Sequence, residues 1–422
     1  SNPGLAAFIG SQNRAASQNR IPLSVSPCQN PARSQSISTC QIRQTYMTDS
    51  LDRALPKTFS VIQAGIERGL HSGFQIFVSL RGEVIADTGV GDAGLRGING
   101  PPRPMTANSL VLWLSAGKPL TAAAVLQLVE NKRLELETAV ASVIPEFAAG
   151  GKESITMRHL LTHTGGFRNV ETGWPKTSWD EAVSRVCAAP IEEGWQIGET
   201  AGYHPSSSWF ILGEIIARVS GRPFSDYLRE EVCEPLGMLD TWNGMPSGFR
   251  SQNEERLGGL SQRERGKTEL LPWHDELHCA AASPGVNTRG PVRELGRFYE
   301  SLLGGLRDDA CPILSQESVS LLTERHREGK FDETLRHQVD FGLGTIVNSN
   351  RYGAETVPYG FGRFCSEGTF GHGGAQSSIG FGDLQNELVV AWAANVRAGE
   401  GQHQRRNREI NSAIYEDLGL SG

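Results

Sequence analysis

The stretch Leu112-Trp113-Leu114-Ser115-Ala116-Gly117-Lys118-Pro119-Leu120-Thr121-Ala122-Ala123-Ala124 carries an apolar run into a helix, with a serine and a lysine three residues apart at the join. Side chains at that spacing lie on one helix face, one turn apart. A hydroxyl is a poor nucleophile at its ordinary pKa, and an amine kept neutral by burial can take its proton. The pair therefore points to acyl transfer through a serine ester. It is the only Ser-x-x-Lys in the chain, although chance supplies roughly half such a match in a sequence of this make-up. Pro119 adds information, because proline lacks an N–H and clashes with the carbonyl four residues back, which confines it to a helix start. The helix is predicted to begin at about Ser115. That leaves the Ser115 N–H free at the positive helix end, as one half of an oxyanion hole requires. On these residues alone, a capping serine followed by a solvated lysine stands beside the catalytic reading.

Working outward, 51–69 has helical periodicity, with Leu51, Leu55, Phe59, Ile62 and Ile66 as its apolar stripe. Strands are predicted at 74–80 and 83–88, joined by Arg81-Gly82, and again at 341–347, 377–382 and 387–396. A last helix carries Ile410, Ile414 and Leu418. Strands at both ends with a helical centre predict an α+β fold. Its central antiparallel sheet is built from both chain ends (about 47–115 and 335–422) and flanked by helices, with a mainly helical lobe (about 118–330) inserted.

The chain has 422 residues, 38% hydrophobic and 21% charged, with a formal net charge of −7. That is enough for a large core. It holds no basic cluster that would suit a nucleic acid and no apolar run long enough to span a bilayer. Nothing calls for a cofactor or a metal. The seven cysteines stand singly at 28, 40, 187, 233, 279, 311 and 365, without a Cys-x-x-Cys, and read as small buried hydrophobes in a reducing compartment. Residues 1–46 contain Arg14, Arg20, Arg33 and Arg43 but no lysine or acid. Such a polar segment cannot support a core. It reads as a disordered extension, a tag or a targeting segment, and its lack of an apolar h-region argues against secretion and for a cytoplasmic protein.

Three further segments bear on the chemistry. In Thr156-Met157-Arg158-His159-Leu160-Leu161-Thr162-His163-Thr164-Gly165-Gly166, two histidines stand four apart. That is a zinc-ligand spacing, but no third ligand follows, and a short helix ending in a Gly-Gly turn is the plainer reading. Gly202-Tyr203-His204-Pro205 places a tyrosine in a loop ahead of an apolar helix, and Phe370-Gly371-His372-Gly373-Gly374-Ala375-Gln376 is a glycine-rich turn leading into a strand.

Together with 280–288, 292–303 and Phe341-Gly342-Leu343-Gly344, these segments resemble the serine β-lactamase and penicillin-binding-protein-like superfamily. The similarity runs in order from about 50 to 418 and is nearest to the class C β-lactamase-like branch that includes family VIII carboxylesterases. The resemblance implies Ser115 as nucleophile, Lys118 as the amine that deprotonates it, and Tyr203 as the phenol that shuttles a proton. It implies His372 where β-lactamases carry a lysine, with Gly374 and Ala375 at the oxyanion strand and the Ala375 N–H as second donor beside Ser115. His204 is a candidate substrate contact. Two departures stand out. Pro205 replaces the family's asparagine, and His372 is a group charged only part of the time near neutrality. Both weaken recognition of a β-lactam carboxylate and leave acyl-enzyme chemistry intact. The expected function is a carboxylesterase on a small-molecule ester or amide with weak or no β-lactamase activity. The alternatives are a β-lactamase, a D-amino-acid amidase or peptidase, an acyltransferase, or a catalytically silent binding module. No Gly-x-Ser-x-Gly elbow competes.

Overall fold

The computed structural model describes residues 48–96, 102–307 and 310–422, so the predicted extension 1–46 lies outside the described residues. The fold is α+β. The first helical stretch divides into α1 (Thr48–Ala54) and α2 (Pro56–Glu67), not the single predicted helix, because Pro56 starts a new helix at the end of the old one. Strands β1 (Gly73–Leu80) and β2 (Glu83–Arg96) form a hairpin whose turn residues Arg81 and Gly82 both have positive φ, 54° and 78°. That geometry matches the right-handed twist of the flanking strands.

Six more strands complete the main sheet: β3 (Pro102–Pro104), β4 (Asp340–Phe341), β5 (Ile346–Val347), β6 (Phe370–Gly374), β7 (Ser378–Asp383) and β8 (Leu388–Ala394). Their order is β4-β5-β6-β7-β8-β1-β2-β3, antiparallel throughout. The seam between the two chain ends is the β1–β8 pair, running from Phe74 opposite Ala394 to Leu80 opposite Leu388. Three strand predictions change. The second strand runs past 88 to Arg96. Residues 341–347 are two short strands around a Gly342–Thr345 turn. The last strand stops at Ala394, and Val396–Arg397 pairs instead with Ser261–Gln262.

Alternation along the strands supplies a core on each face. Phe74, Ile76, Val78, Val390 and Trp392 pack with Leu51, Ile62, Ile410 and Ile414, and so against α1, α2 and the C-terminal helix. Phe77, Val389 and Ala391 face the opposite core, where Leu120, Leu126, Trp209 and Phe298 are buried. Helix α3 (Lys118–Glu130) threads that core with every residue from Lys118 to Leu128 buried. The centre also contains short strands at Trp242–Asn243, Ser261–Glu264, Lys267–Leu270 and Thr288–Gly290, which periodicity did not reveal. Among the described residues, no helix is long and apolar enough to cross a membrane. Cys187, Cys233, Cys279 and Cys365 are buried free thiols.

Candidate active site

The helix start predicted at Ser115 is a 3₁₀ turn, Leu114–Gly117, that passes into α3 at Lys118. In a 3₁₀ turn, side chains three apart eclipse one another, which sets Lys118 directly over Ser115. Leu114 enters the turn at φ 52°, a conformation uncommon outside glycine. The turn is seated on the end of β6. A Cβ built on Gly374 would lie 2.2 Å from the Trp113 carbonyl oxygen, so only glycine admits this approach. Ser378 Oγ donates to the same carbonyl at 2.5 Å. These contacts bring Ser115 beside the turn that follows β6 and carries Ala375. Among the loop and turn hydrogen bonds of the described residues, neither the Ser115 nor the Ala375 N–H donates to a carbonyl.

Lys118 is fully buried. Its Nζ lies 3.0 Å from Ser115 Oγ, 2.8 Å from the Pro205 carbonyl oxygen and 2.5 Å from that of Gly285. Burial without a carboxylate partner pushes its pKa well below the usual lysine value. A neutral amine has two N–H donors, which match the two carbonyls, and one lone pair, which is left for the Ser115 hydroxyl. Pro205, the departure from the family pattern, thus serves the lysine through its main-chain oxygen.

Tyr203 sits in the loop before helix Ser207–Ser220, with its ring 5.2 Å below Lys118 Nζ. Its main chain is fixed at both ends. The N–H donates to Asp332 Oδ1 at 3.0 Å, and the carbonyl accepts from Thr334 Oγ1 at 2.8 Å. Asp332 is itself buried against the buried Arg327 at 2.9 Å. The phenol oxygen is buried and makes no hydrogen bond within the described residues. Burial raises its pKa beyond the ordinary tyrosine value, and Ser115 beside it pulls the other way. The phenol is therefore protonated at neutral pH.

His372 lies within β6, a strand where the sequence suggested a turn. Its partial positive charge, expected from the sequence, is also absent. Burial pushes its pKa down to about 3. Nδ1–H donates to the Gly373 carbonyl at 2.7 Å, so the ring is the neutral tautomer with Nε2 as an acceptor, and that atom is buried without a partner.

His204 is not a substrate contact in this arrangement. It is fully buried behind Tyr203, where Nε2 accepts from the Phe167 N–H at 3.3 Å, and it does not line the cavity. His159 and His163 serve separate neighbours. His159 closes a capping box with Thr156. His163, in a left-handed conformation (φ 58°), accepts from the His204 N–H at 3.1 Å and lays its ring 4.7 Å from that of Tyr203.

Ser115, Tyr203, His372 and Ala375 open on one cavity of about 480 Å³. Leu114, Trp273, Val286, Leu335, Ile346 and Pro358 make most of its wall apolar, and Arg336, Arg397, Glu400 and Gln404 form a polar part. Asp332, His163 and the Gly285 and Pro205 carbonyls were missed as site residues from sequence. His163, Pro205 and Gly285 each stand in a quoted segment, but nothing in residue type marked the Pro205 and Gly285 oxygens, and Asp332 had no signal.

The family described as Beta-lactamase matches residues 59–414. Esterase EstB of Burkholderia gladioli is 29% identical over 346 residues, covering 74% of this chain and 84% of that protein. Esterase/beta-lactamase LipL of Mycobacterium tuberculosis is 24% identical over 331 residues, covering 70% and 73%. The crystal structure of a family VIII carboxylesterase superposes with a TM-score of 0.68 at 24% identity, over 86% of this chain and 98% of that one.

Proposed function

Because this chain belongs to the Beta-lactamase family, a family of serine hydrolases, we propose that it is a carboxylesterase acting through an acyl-enzyme on Ser115. The observation that carries the choice of ester over β-lactam is the neutral, buried His372 beside the nucleophile. A cation at that place would receive a carboxylate next to the scissile bond, whereas a neutral imidazole offers only a lone pair. The apolar cavity walls support a small, uncharged acyl group in the same position. The similarity to EstB supports the same reading.

The chemistry divides between two groups held in opposite protonation states. Lys118 takes the Ser115 proton as Oγ attacks the ester carbonyl carbon, and the carbonyl oxygen becomes an oxyanion between the Ser115 and Ala375 N–H groups. Collapse breaks the bond to the leaving oxygen, which receives the Tyr203 proton, and the phenolate regains a proton from Lys118. Water then enters, passes a proton by way of Tyr203 to Lys118, and attacks the acyl carbon. Ser115 leaves with the proton returned from Lys118, releasing the acid.

The test is turnover of p-nitrophenyl acetate and nitrocefin by wild type and Ser115→Ala. Ester turnover that collapses in the variant, with nitrocefin slow or inert, is the expected result. Nitrocefin turnover exceeding that of the ester would reverse the substrate assignment.

A further inference from the structure

The turn that presents the Ala375 N–H is held from beneath by a buried cation that has no anionic partner. Arg406, on the helix Glu400–Asp417, is buried, and its guanidinium donates to three carbonyls from three separate segments of the chain. Nη2 reaches the Gln376 oxygen at 2.7 Å, and Nη1 reaches Leu70 O at 2.9 Å and Val396 O at 3.4 Å. Its other neighbours are the Nδ1 atoms of His403 and His71, at 3.2 and 3.4 Å. Both imidazoles are held neutral by burial and by Arg406 itself, His71 at about 3. Among the described residues, no carboxylate lies within ion-pair distance of this guanidinium.

A buried charge without a counter-ion is costly, and apolar replacement is the usual cheaper solution. The position of this charge suggests what offsets the cost. Gln376 directly follows Ala375 and has φ 57°, so the turn is not one that a free chain would choose. Its side chain is also pinned, with Oε1 accepting from the Gly399 N–H and Nε2 donating to Glu400 Oε1, each at 2.9 Å. Arg406 completes the clamp by fixing the main chain.

We propose that Arg406 is a positioning residue for the oxyanion hole. It locks the Ala375–Gln376 turn through the Gln376 carbonyl, and its unpaired charge favours the anionic tetrahedral state that forms beside that turn. This inference rests on the acyl-enzyme reading of Ser115 but not on the preference for esters.

The test compares Arg406→Gln, which removes the charge, with Arg406→Lys, which keeps it. Each is measured for p-nitrophenyl acetate kinetics and for inhibition by benzeneboronic acid, which forms an anionic tetrahedral adduct on a nucleophilic serine. In Arg406→Gln, kcat should fall about ten-fold or more with little change in KM. The boronate inhibition constant should rise by a similar factor, and Arg406→Lys should recover part of both. A fall in kcat without weaker boronate binding would overturn the proposal, as would equal losses in the two variants. If Arg406→Gln does not fold, the Arg406→Lys pair of measurements decides by the same proportionality. If wild type turns over no ester, the esterase reading fails, while boronate binding still tests Arg406.

Discussion

Lys118 Nζ stands 3.0 Å from Ser115 Oγ, with its other hydrogen-bonding directions ending on the Pro205 and Gly285 carbonyls. This relationship supports Lys118 as the base of the proposed mechanism. Lys118→Met should lower kcat/KM on p-nitrophenyl acetate by about 10²–10⁴, and Lys118→Arg should do no better, since a guanidinium keeps its proton. The depressed amine pKa has a pH signature. Activity should rise with pH as Lys118 loses its proton and reach its plateau well below the ordinary lysine value of 10.5. A rate that climbs steadily to pH 10 would remove Lys118 from the role.

Tyr203 is the complementary case, a phenol that burial keeps protonated. Tyr203→Phe should preserve the fold and cost about 10²-fold in kcat/KM, which reads acylation alone, with the loss smaller for esters whose leaving group needs no proton, such as p-nitrophenol. An equal loss for p-nitrophenyl and ethyl esters would argue against proton donation by this residue.

Asp332 links the site to the core. Its Oδ1 accepts the N–H groups of Tyr203, Thr334 and Leu335 while Oδ2 holds Arg327. Both members of the ion pair are buried. Asp332→Asn leaves Arg327 uncompensated and should destabilise the protein by about 3–5 kcal/mol in urea unfolding. A change below about 1 kcal/mol would mean that the pair contributes little.

The buried histidines set an acid limit. His204 is pushed down to about 3 by burial. The unfolded chain therefore binds a proton below pH 6.5 that the folded protein does not. The stability present above 6.5 is lost progressively as pH falls toward 3. Each such group removes about 2 kcal/mol between pH 7 and pH 5. His204→Gln should flatten the fall in stability over that interval by this amount, measured by denaturant titration at the two pH values, whatever its effect at pH 7. A parallel pH dependence in the variant would contradict the assignment.

What the sequence made legible was local. Ser115 and Lys118 are three residues apart, Pro119 marks the helix start, and the apolar runs in 74–80 and 387–396 announce the two strands that meet at the sheet's centre. The features that determine protonation were not local. The Pro205 and Gly285 oxygens are main-chain atoms with no residue-type signal. Asp332 meets Tyr203 across 129 residues of chain. The charge of His372 depends on burial, which a glycine-rich segment does not disclose, and so the sequence suggested a partly charged group where the fold makes a neutral one. His204 failed as a substrate contact for the same reason, because a loop residue beside a catalytic candidate can turn either toward the cavity or into the core. The cavity wall comes from loops such as those carrying Trp273 and Tyr359, whose composition has no periodicity to read.

The proposed chemistry turns on a covalent bond to Ser115, and rapid-quench mass spectrometry of the protein with p-nitrophenyl acetate tests it most directly. The predicted result is a burst of one p-nitrophenolate per active site, with a single acetyl group on the peptide that contains Ser115 and none in Ser115→Ala. Acetylation of another residue at the same rate, or steady ester turnover undiminished in Ser115→Ala, would contradict it.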